Sequence, residues 1–94
     1  MPTSFRAIAT PPFKRDVRKK LDRKPEILNL YKEMLAALLT DPYNTTGTHD
    51  IKKLKGKKPG QGLWRIRKGS YRLRYDIFGT DVVLYSFDDR KEAY

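Results

Sequence analysis

Two neighbouring segments of this 94-residue chain carry arginine at every second position, the spacing with which a β-strand sends side chains to one face. Trp64 and Ile66 alternate with two arginines between Leu63 and Arg67, and the same pattern returns between Tyr71 and Ile77. If the apolar set faces the interior, four arginines project from one open face: Arg65, Arg67, Arg72 and Arg74. Guanidinium groups bind phosphate oxygens in pairs, so this face would suit a phosphate backbone.

The alternative interpretation of these arginines is structural. Exposed arginines keep a sheet soluble and discourage edge pairing, and Arg74 has Asp76 and Asp81 nearby in sequence as ion-pair partners. Four like charges on adjacent strands repel one another, however, and a bound anion would offset that repulsion. We therefore expect the set as a whole to be functional, without extending this to each arginine separately.

The net charge of +10 is concentrated in one segment. Between Ile51 and Tyr75 lie ten of the 21 basic residues and none of the 11 acidic ones, so the remainder of the chain is balanced. A concentrated basic surface attracts a polyanion, most commonly nucleic acid. A patch for anionic membranes is the alternative, but the chain lacks a basic amphipathic helix with bulky apolar anchors.

Other kinds of chemistry lack the residues they require. The chain has no cysteine, one histidine (His49, in a polar loop), no metal-ligand spacing and no Walker motif, so we expect neither a metal nor a cofactor. Metal-free cleavage of RNA remains, because RNA supplies its own nucleophile, the 2′-hydroxyl group. Arginines would stabilise the phosphate, and Tyr94, Asp88 or Asp89 would help to move protons.

The elements that must position these residues follow from the hydrophobic pattern. Ser4 to Ala9 is predicted to be a strand. Thr10 is a predicted N-cap, ahead of a helix that buries Phe13, Val17 and Leu21. A second helix starts near Glu26, with an apolar stripe of Ile27, Leu28, Tyr31, Met34, Leu35, Leu38 and Leu39, and ends at Asp41-Pro42. Four strands follow, at 51–55, 63–67, 71–77 and 81–87, the last one apolar enough to be covered on both faces, and a polar tail closes the chain.

These elements predict a single α+β domain spanning 1–94: an N-terminal strand, a helical hairpin, then a four-stranded, largely antiparallel sheet with the helices packed on one face. The N-terminus has no long apolar run, so we expect neither a signal peptide nor a membrane span. The expected location is the cytoplasm.

Three sequence runs, at the spacing seen here, are distinctive enough to compare with known families: KKLKG, WRIRKGSYRLRY and DRKEAY. In these runs and in element order the chain resembles the RelE/ParE toxin superfamily, in particular the RelE-like, ribosome-dependent mRNA interferases. The resemblance implies an RNA endonuclease that cuts mRNA in the ribosomal decoding site, with mRNA, ribosomal RNA and a cognate antitoxin as partners. It also implies that the antitoxin silences the toxin by wrapping over its basic surface.

The resemblance also assigns roles by position. It implies that Arg65 and Arg67 are basic catalytic residues, that Arg72 stabilises the phosphate, and that Arg90 and Tyr94 form a C-terminal pair whose tyrosine orients the nucleobase. The expected RNA-binding residues are Lys53, Lys55, Lys57, Lys58 and Arg74. Many members carry a histidine where this chain has Asp88-Asp89, so this acidic pair would either supply a base or weaken RNA binding.

Two other functions fit the same pattern. A ParE-like toxin that poisons DNA gyrase shares the fold and would break DNA while leaving mRNA whole. A plain RNA-binding module would bind RNA with steep salt dependence and would be harmless when expressed. The density of arginines between Arg65 and Arg72 favours the nuclease.

Overall fold

The computed structural model describes residues 4–90 of the chain. Two helices and five strands make it an α+β domain. In chain order the elements are β1 (Arg6–Ala9), α1 (Pro11–Arg23), a 3₁₀ turn (Pro25–Ile27), α2 (Leu28–Thr40), β2 (Asp50–Lys53), β3 (Trp64–Lys68), β4 (Tyr71–Phe78) and β5 (Asp81–Asp89). None of the helices in the described part of the chain has the length and apolar character needed to cross a membrane.

The sheet has five strands in the order β1-β5-β4-β3-β2, and this corrects the four-stranded prediction. The four later strands pair with antiparallel neighbours, whereas β1 lies parallel to β5 at one edge, with Ala7 opposite Val82 and Ala9 opposite Leu84. The resulting sheet is mixed. β5 also continues two residues beyond its predicted end at Phe87. β5 lies between β1 and β4, and its residues Val82, Leu84 and Phe87 are buried in the core.

Apolar residues from the helices and from one face of the sheet form the core. The buried helical residues are Phe13, Val17, Ile27, Met34 and Leu38, and the buried sheet residues are Ile66, Tyr71, Leu73, Tyr75, Val82, Leu84 and Phe87. The predicted stripe of α2 is therefore confirmed at its centre, but Leu28, at the start of the helix, is 39% exposed. The second face of β5 is only half-buried at Val83 and Tyr85, so the prediction that both faces are covered was wrong there.

Thr10 precedes α1 as expected, but its side chain does not cap the helix. The Oγ1 hydroxyl donates instead to the carbonyl of Leu84, at 3.2 Å, and joins the start of the helix to β5. Prolines occupy the first helical positions, where an N–H group has no partner within the helix in any case.

A buried carboxylate organises the turn that follows α2. Asp41 accepts hydrogen bonds from the backbone and hydroxyl groups of Thr45 and Thr46, at 2.6–3.1 Å, and the Tyr75 hydroxyl donates to the carbonyl of Pro42 at 2.7 Å. Burial alone would raise the pKa of Asp41, but the hydrogen bonds from Thr46 and Thr45 outweigh burial and lower the pKa to about 2. The folded protein therefore stabilises the charged form of this carboxyl group.

Replacing Asp41 with Asn should remove an acid-sensitive part of the folding stability. A carboxyl group with a pKa lowered from 3.8 to about 2 stabilises the fold above its unfolded pKa and loses this contribution as pH falls toward 2. The contribution is about 2 kcal/mol at neutral pH. Urea unfolding between pH 7 and pH 2 measures this contribution. The free energy of unfolding of Asp41→Asn should be lower than that of the parent at pH 7 and should fall less as the pH is lowered.

Asp22→Asn is the matched control, because Asp22 is exposed on α1. That variant should follow the parent at every pH. An Asp41→Asn protein with the same acid-dependent loss as the parent would contradict the role given to this carboxylate.

Candidate nucleic-acid interface

The strand register brings the four arginines together on the face of the sheet opposite the helices. Arg65 lies directly opposite Arg74 and Arg67 directly opposite Arg72 in the ladder between β3 and β4, while the residues between them belong to the core. Residues directly opposite in an antiparallel ladder have Cβ atoms about 5 Å apart. The four arginines, called here the arginine face (Arg65, Arg67, Arg72 and Arg74), therefore share one side of the sheet as predicted, but the prediction that all of them project from an open face was wrong for Arg65, which is buried.

The rows of this face continue onto the flanking strands. Lys52 of β2 lies opposite Arg65, and Asp50 lies opposite Arg67. On the other side, Asp88 of β5 lies opposite Arg72. The arginine face thus has a further lysine and two carboxylates at its borders.

Asp50 binds two of the arginines. Its carboxylate accepts a hydrogen bond from Nε of Arg67 at 2.8 Å and lies 3.6 Å from Nη1 of Arg65. Sequence analysis did not predict this contact, because the two partners lie far apart in the chain and meet only through the pairing of β2 with β3. One carboxylate shared by two guanidinium groups leaves the face with a net positive charge.

Two guanidinium nitrogens on this face are buried without a hydrogen-bond partner among residues 4–90: Nη1 of Arg65 and Nε of Arg72. Arg65 is only 9% exposed. Burial lowers the pKa of Arg65, as do the neighbouring charges of Arg67 and Arg72, whereas Asp50 acts in the opposite direction. Buried donors without an acceptor are costly, so a shift of either side chain that brings its donor to a bound anion would be stabilising.

Arg74 differs from the other three arginines. Its Nη2 atom donates to the carbonyls of Gln61 and Gly62 at 2.8 and 2.9 Å, and its Nε atom donates to Gly62 at 3.2 Å. Asp81 forms an ion pair with Arg6 at 2.9 Å, and Asp76 accepts hydrogen bonds from backbone amides. The ion pairs considered for Arg74 in the structural alternative are therefore absent, and Arg74 holds a loop.

The predicted RNA-binding lysines divide into two groups. Lys53 lies on the helical side of the sheet, opposite Trp64, with its Nζ atom 5.9 Å from the centre of the indole ring. Lys53 shares this face with Ile51 and so lies apart from the arginines, whereas Lys52, on the other face, lies beside them. The binding of RNA by Lys53 stays a prediction. Lys55, Lys57 and Lys58 are exposed on the loop between β2 and β3.

The C-terminal candidates are only partly within the described residues. The Asp88 carboxylate accepts from Nζ of Lys20 at 2.7 Å, and Lys20 also binds Asp16 at 2.8 Å. Burial opposes the charge of Lys20, but these two hydrogen bonds outweigh it and raise its pKa. The pairing of Lys20 with Asp88 was not predicted either, since it joins α1 to the end of β5.

Asp89 is buried on the helical side, opposite Tyr71, and therefore does not face the arginines as a base would. Arg90 is exposed, and its backbone amide donates to the carbonyl of Ser70 at 2.6 Å. Tyr94 lies outside the described residues.

The structure offers no metal site within the described residues: no three His, Cys, Asp or Glu side chains between positions 4 and 90 are grouped to hold an ion. The His49 ring lies 3.9 Å from the Asp41 carboxylate, and its backbone bonds twice to the Asn44 side chain. These contacts give His49 a place in the turn after α2 rather than on the arginine face.

Comparison with known proteins gives no relative from which to transfer a function. The chain matches no model of a protein family, no curated protein and no solved structure. We therefore infer function from this chain's own residues and their geometry.

Replacing Asp50 with Asn should strengthen binding of single-stranded RNA. The change removes a carboxylate that competes with phosphate for Arg67 and Arg65, so the affinity should rise about fivefold at low salt. Fluorescence anisotropy with a short labelled oligoribonucleotide measures this. Glu26→Gln, an exposed site in the 3₁₀ turn, removes the same charge from the helical side. An equal gain in both variants would contradict local competition at the arginine face.

Proposed function

We propose that this protein is the toxin of a type II toxin–antitoxin system, an RNA endonuclease that cleaves mRNA in the ribosomal decoding site. The observation that carries the proposal is the pair of buried guanidinium nitrogens on the arginine face, Nη1 of Arg65 and Nε of Arg72, that have no hydrogen-bond partner within residues 4–90. The resemblance of the WRIRKGSYRLRY and DRKEAY runs to RelE-like toxins supplies the class of reaction.

Phosphate oxygens are the acceptors that fit these donors best. A guanidinium group forms two parallel, charge-assisted hydrogen bonds with a phosphate, and the bonds are stronger in a partly buried setting than in water. Arg72 and Arg67 lie on adjacent strands directly opposite each other. They are therefore suited to hold two oxygens of one phosphate or of two consecutive phosphates.

Cleavage then proceeds by metal-free attack of the RNA on itself. The 2′-oxygen forms a bond to phosphorus, the bond from phosphorus to the 5′-oxygen breaks, and the products are a 2′,3′-cyclic phosphate and a 5′-hydroxyl group. The proton of the 2′-hydroxyl passes to a base, and the leaving 5′-oxygen takes up a proton. The arginines stabilise the added negative charge in the transition state, and alignment of the attacking oxygen supplies much of the remaining rate gain.

The proposed partners follow from the same surface. In the cytoplasm, mRNA would occupy the arginine face, and the loop lysines Lys55, Lys57 and Lys58 would contact mRNA or ribosomal RNA. The cognate antitoxin would cover the same face in the inactive complex. Arg90 and Tyr94 keep their proposed roles at the scissile nucleotide. Of the two acidic candidates for proton transfer, Asp88 lies opposite Arg72 in the ladder and its carboxylate is bound by Lys20, whereas Asp89 is buried on the helical side.

Arg72→Ala should abolish mRNA cleavage and leave the fold intact, because its guanidinium group contributes no hydrogen bond to the described structure through Nε. The loss should be about a hundredfold or more, as for removal of a transition-state donor. Mapping RNA 5′ ends after brief induction, with and without ribosomes, measures cutting directly. Arg18→Ala, on the exposed side of α1, is the matched control and should cut like the parent.

Unchanged cleavage by Arg72→Ala would contradict the assignment. Broken DNA with intact mRNA after induction of the parent protein would indicate a gyrase poison instead. Harmless expression with salt-dependent RNA binding would indicate a binding module without nuclease activity.

A further inference from the structure

A buried carboxylate on β4 holds the loop that carries the exposed lysines. Asp76 is 2% exposed, and its two oxygens accept the backbone N–H groups of Gly60 at 2.5 Å, Gly62 at 3.3 Å and Leu63 at 2.6 Å. Asp76 lies on the same face of the sheet as Arg74, two residues along the strand. The last part of the loop is therefore bound against the open face.

Arg74 holds the same segment through its carbonyl groups. Its guanidinium group donates to Gln61 and Gly62, so β4 supplies an acceptor for the amides and a donor for the carbonyls of one short stretch. Gly62 has φ +77°, and a Cβ atom there would lie 3.1 Å from both Cβ and Nε of Arg74. The close approach of the loop to Arg74 thus requires glycine at this position.

Tyr85 lies near this carboxylate. A register irregularity between Arg74 and Tyr75 leaves Tyr85 without a paired residue in the ladder with β4. Burial and the nearby Asp76 charge raise the pKa of Tyr85, so the phenol stays protonated beside the carboxylate. Asp76 itself accepts three backbone amides, which is most of the hydrogen-bonding capacity of a carboxylate.

The part of the loop that Asp76 and Arg74 do not contact carries exposed lysines. Lys55, Lys57 and Lys58 are exposed, and none has an ion-pair partner among the described residues. The acid at the loop's anchored end is Asp76, whose oxygens are occupied by backbone amides. The loop base is closed separately by the Leu54 amide, which donates to the Leu63 carbonyl at 2.7 Å.

We propose that Asp76 and Arg74 form a loop latch that fixes Lys55, Lys57 and Lys58 beside the arginine face, so that a single-stranded RNA backbone meets both sets of cations at once. This inference rests on the proposed RNA-binding function. Asp76 and Arg74 act as positioning residues: they contact the loop, and the lysines contact phosphate. Fixing the lysines before binding removes the entropic cost of ordering the loop on the RNA.

A double-mutant cycle separates positioning from a general loss of stability. The probe is a labelled 2′-O-methyl oligonucleotide, which presents phosphates but cannot be cut. In the parent protein, Lys57→Ala with Lys58→Ala should lower the affinity about tenfold and reduce the slope of log K against log salt by about 1.4, from two lost phosphate contacts. In an Asp76→Asn background the same two changes should cost less than about twofold, because the lysines are no longer held in place.

Gly62→Ala provides an independent break of the latch, since it disturbs the loop at Arg74 and leaves the core residues in place. Amide hydrogen exchange in the free protein reports the latch without any RNA: Gly60, Gly62 and Leu63 should exchange faster in both variants, while Leu73 and Leu84 in the core keep their protection. Slow exchange at the three loop amides in both variants would overturn the latch.

The positioning role of Asp76 and Arg74 and the RNA-binding function give different results in these experiments. If the parent binds the oligonucleotide but the lysine changes cost the same in parent, Asp76→Asn and Gly62→Ala backgrounds, the positioning role is overturned and the proposed function stands. If the parent binds no oligonucleotide, the proposed function is overturned, and the role of the latch in RNA binding is overturned with it.

Discussion

Direct cross-strand pairing of like charges is the constraint on which this structure depends. Two arginine pairs, Arg65 with Arg74 and Arg67 with Arg72, lie opposite each other in one ladder, where like charges destabilise a sheet. The protein relieves part of this repulsion with Asp50, which serves two guanidinium groups, and with the backbone carbonyls that bind Arg74. The remainder is left for a ligand, since two guanidinium nitrogens keep no acceptor within residues 4–90.

The side chains of this face have two different roles: some hold the loop between β2 and β3, and others have donors left for a ligand. Arg74 and Asp76 are engaged with the loop, so their charges are used within the protein. Arg65 and Arg72 each retain a nitrogen that makes no hydrogen bond within the described residues, with the Asp50 carboxylate 3.6 Å from the one on Arg65. Functional charge on a sheet is therefore distinguished less by its amount than by whether the surrounding backbone already satisfies it.

Sequence alone predicted the face of the sheet that a side chain occupies, as in the alternation of Trp64, Arg65, Ile66 and Arg67, because a strand face follows from spacing alone. It did not predict contacts between residues that are distant in the chain. The pairing of β1 beside β5 and the contact of Asp50 with two arginines depend on tertiary register, which no local pattern specifies. Alternation from Ile51 also separates two neighbouring lysines, since it places Lys53 on the helical side and Lys52 beside the arginines, a difference that charge alone does not show.

The most direct test of the account observes the side-chain Nε–H groups of the arginines by NMR during titration with a non-cleavable 2′-O-methyl oligonucleotide. The account predicts that the Arg72 and Arg67 signals shift together and exchange more slowly with solvent as phosphate binds, with the arginines of α1 unchanged. Shifts confined to α1, or an Arg72 signal that stays constant at saturation, would contradict the claim that the arginine face binds the phosphate backbone.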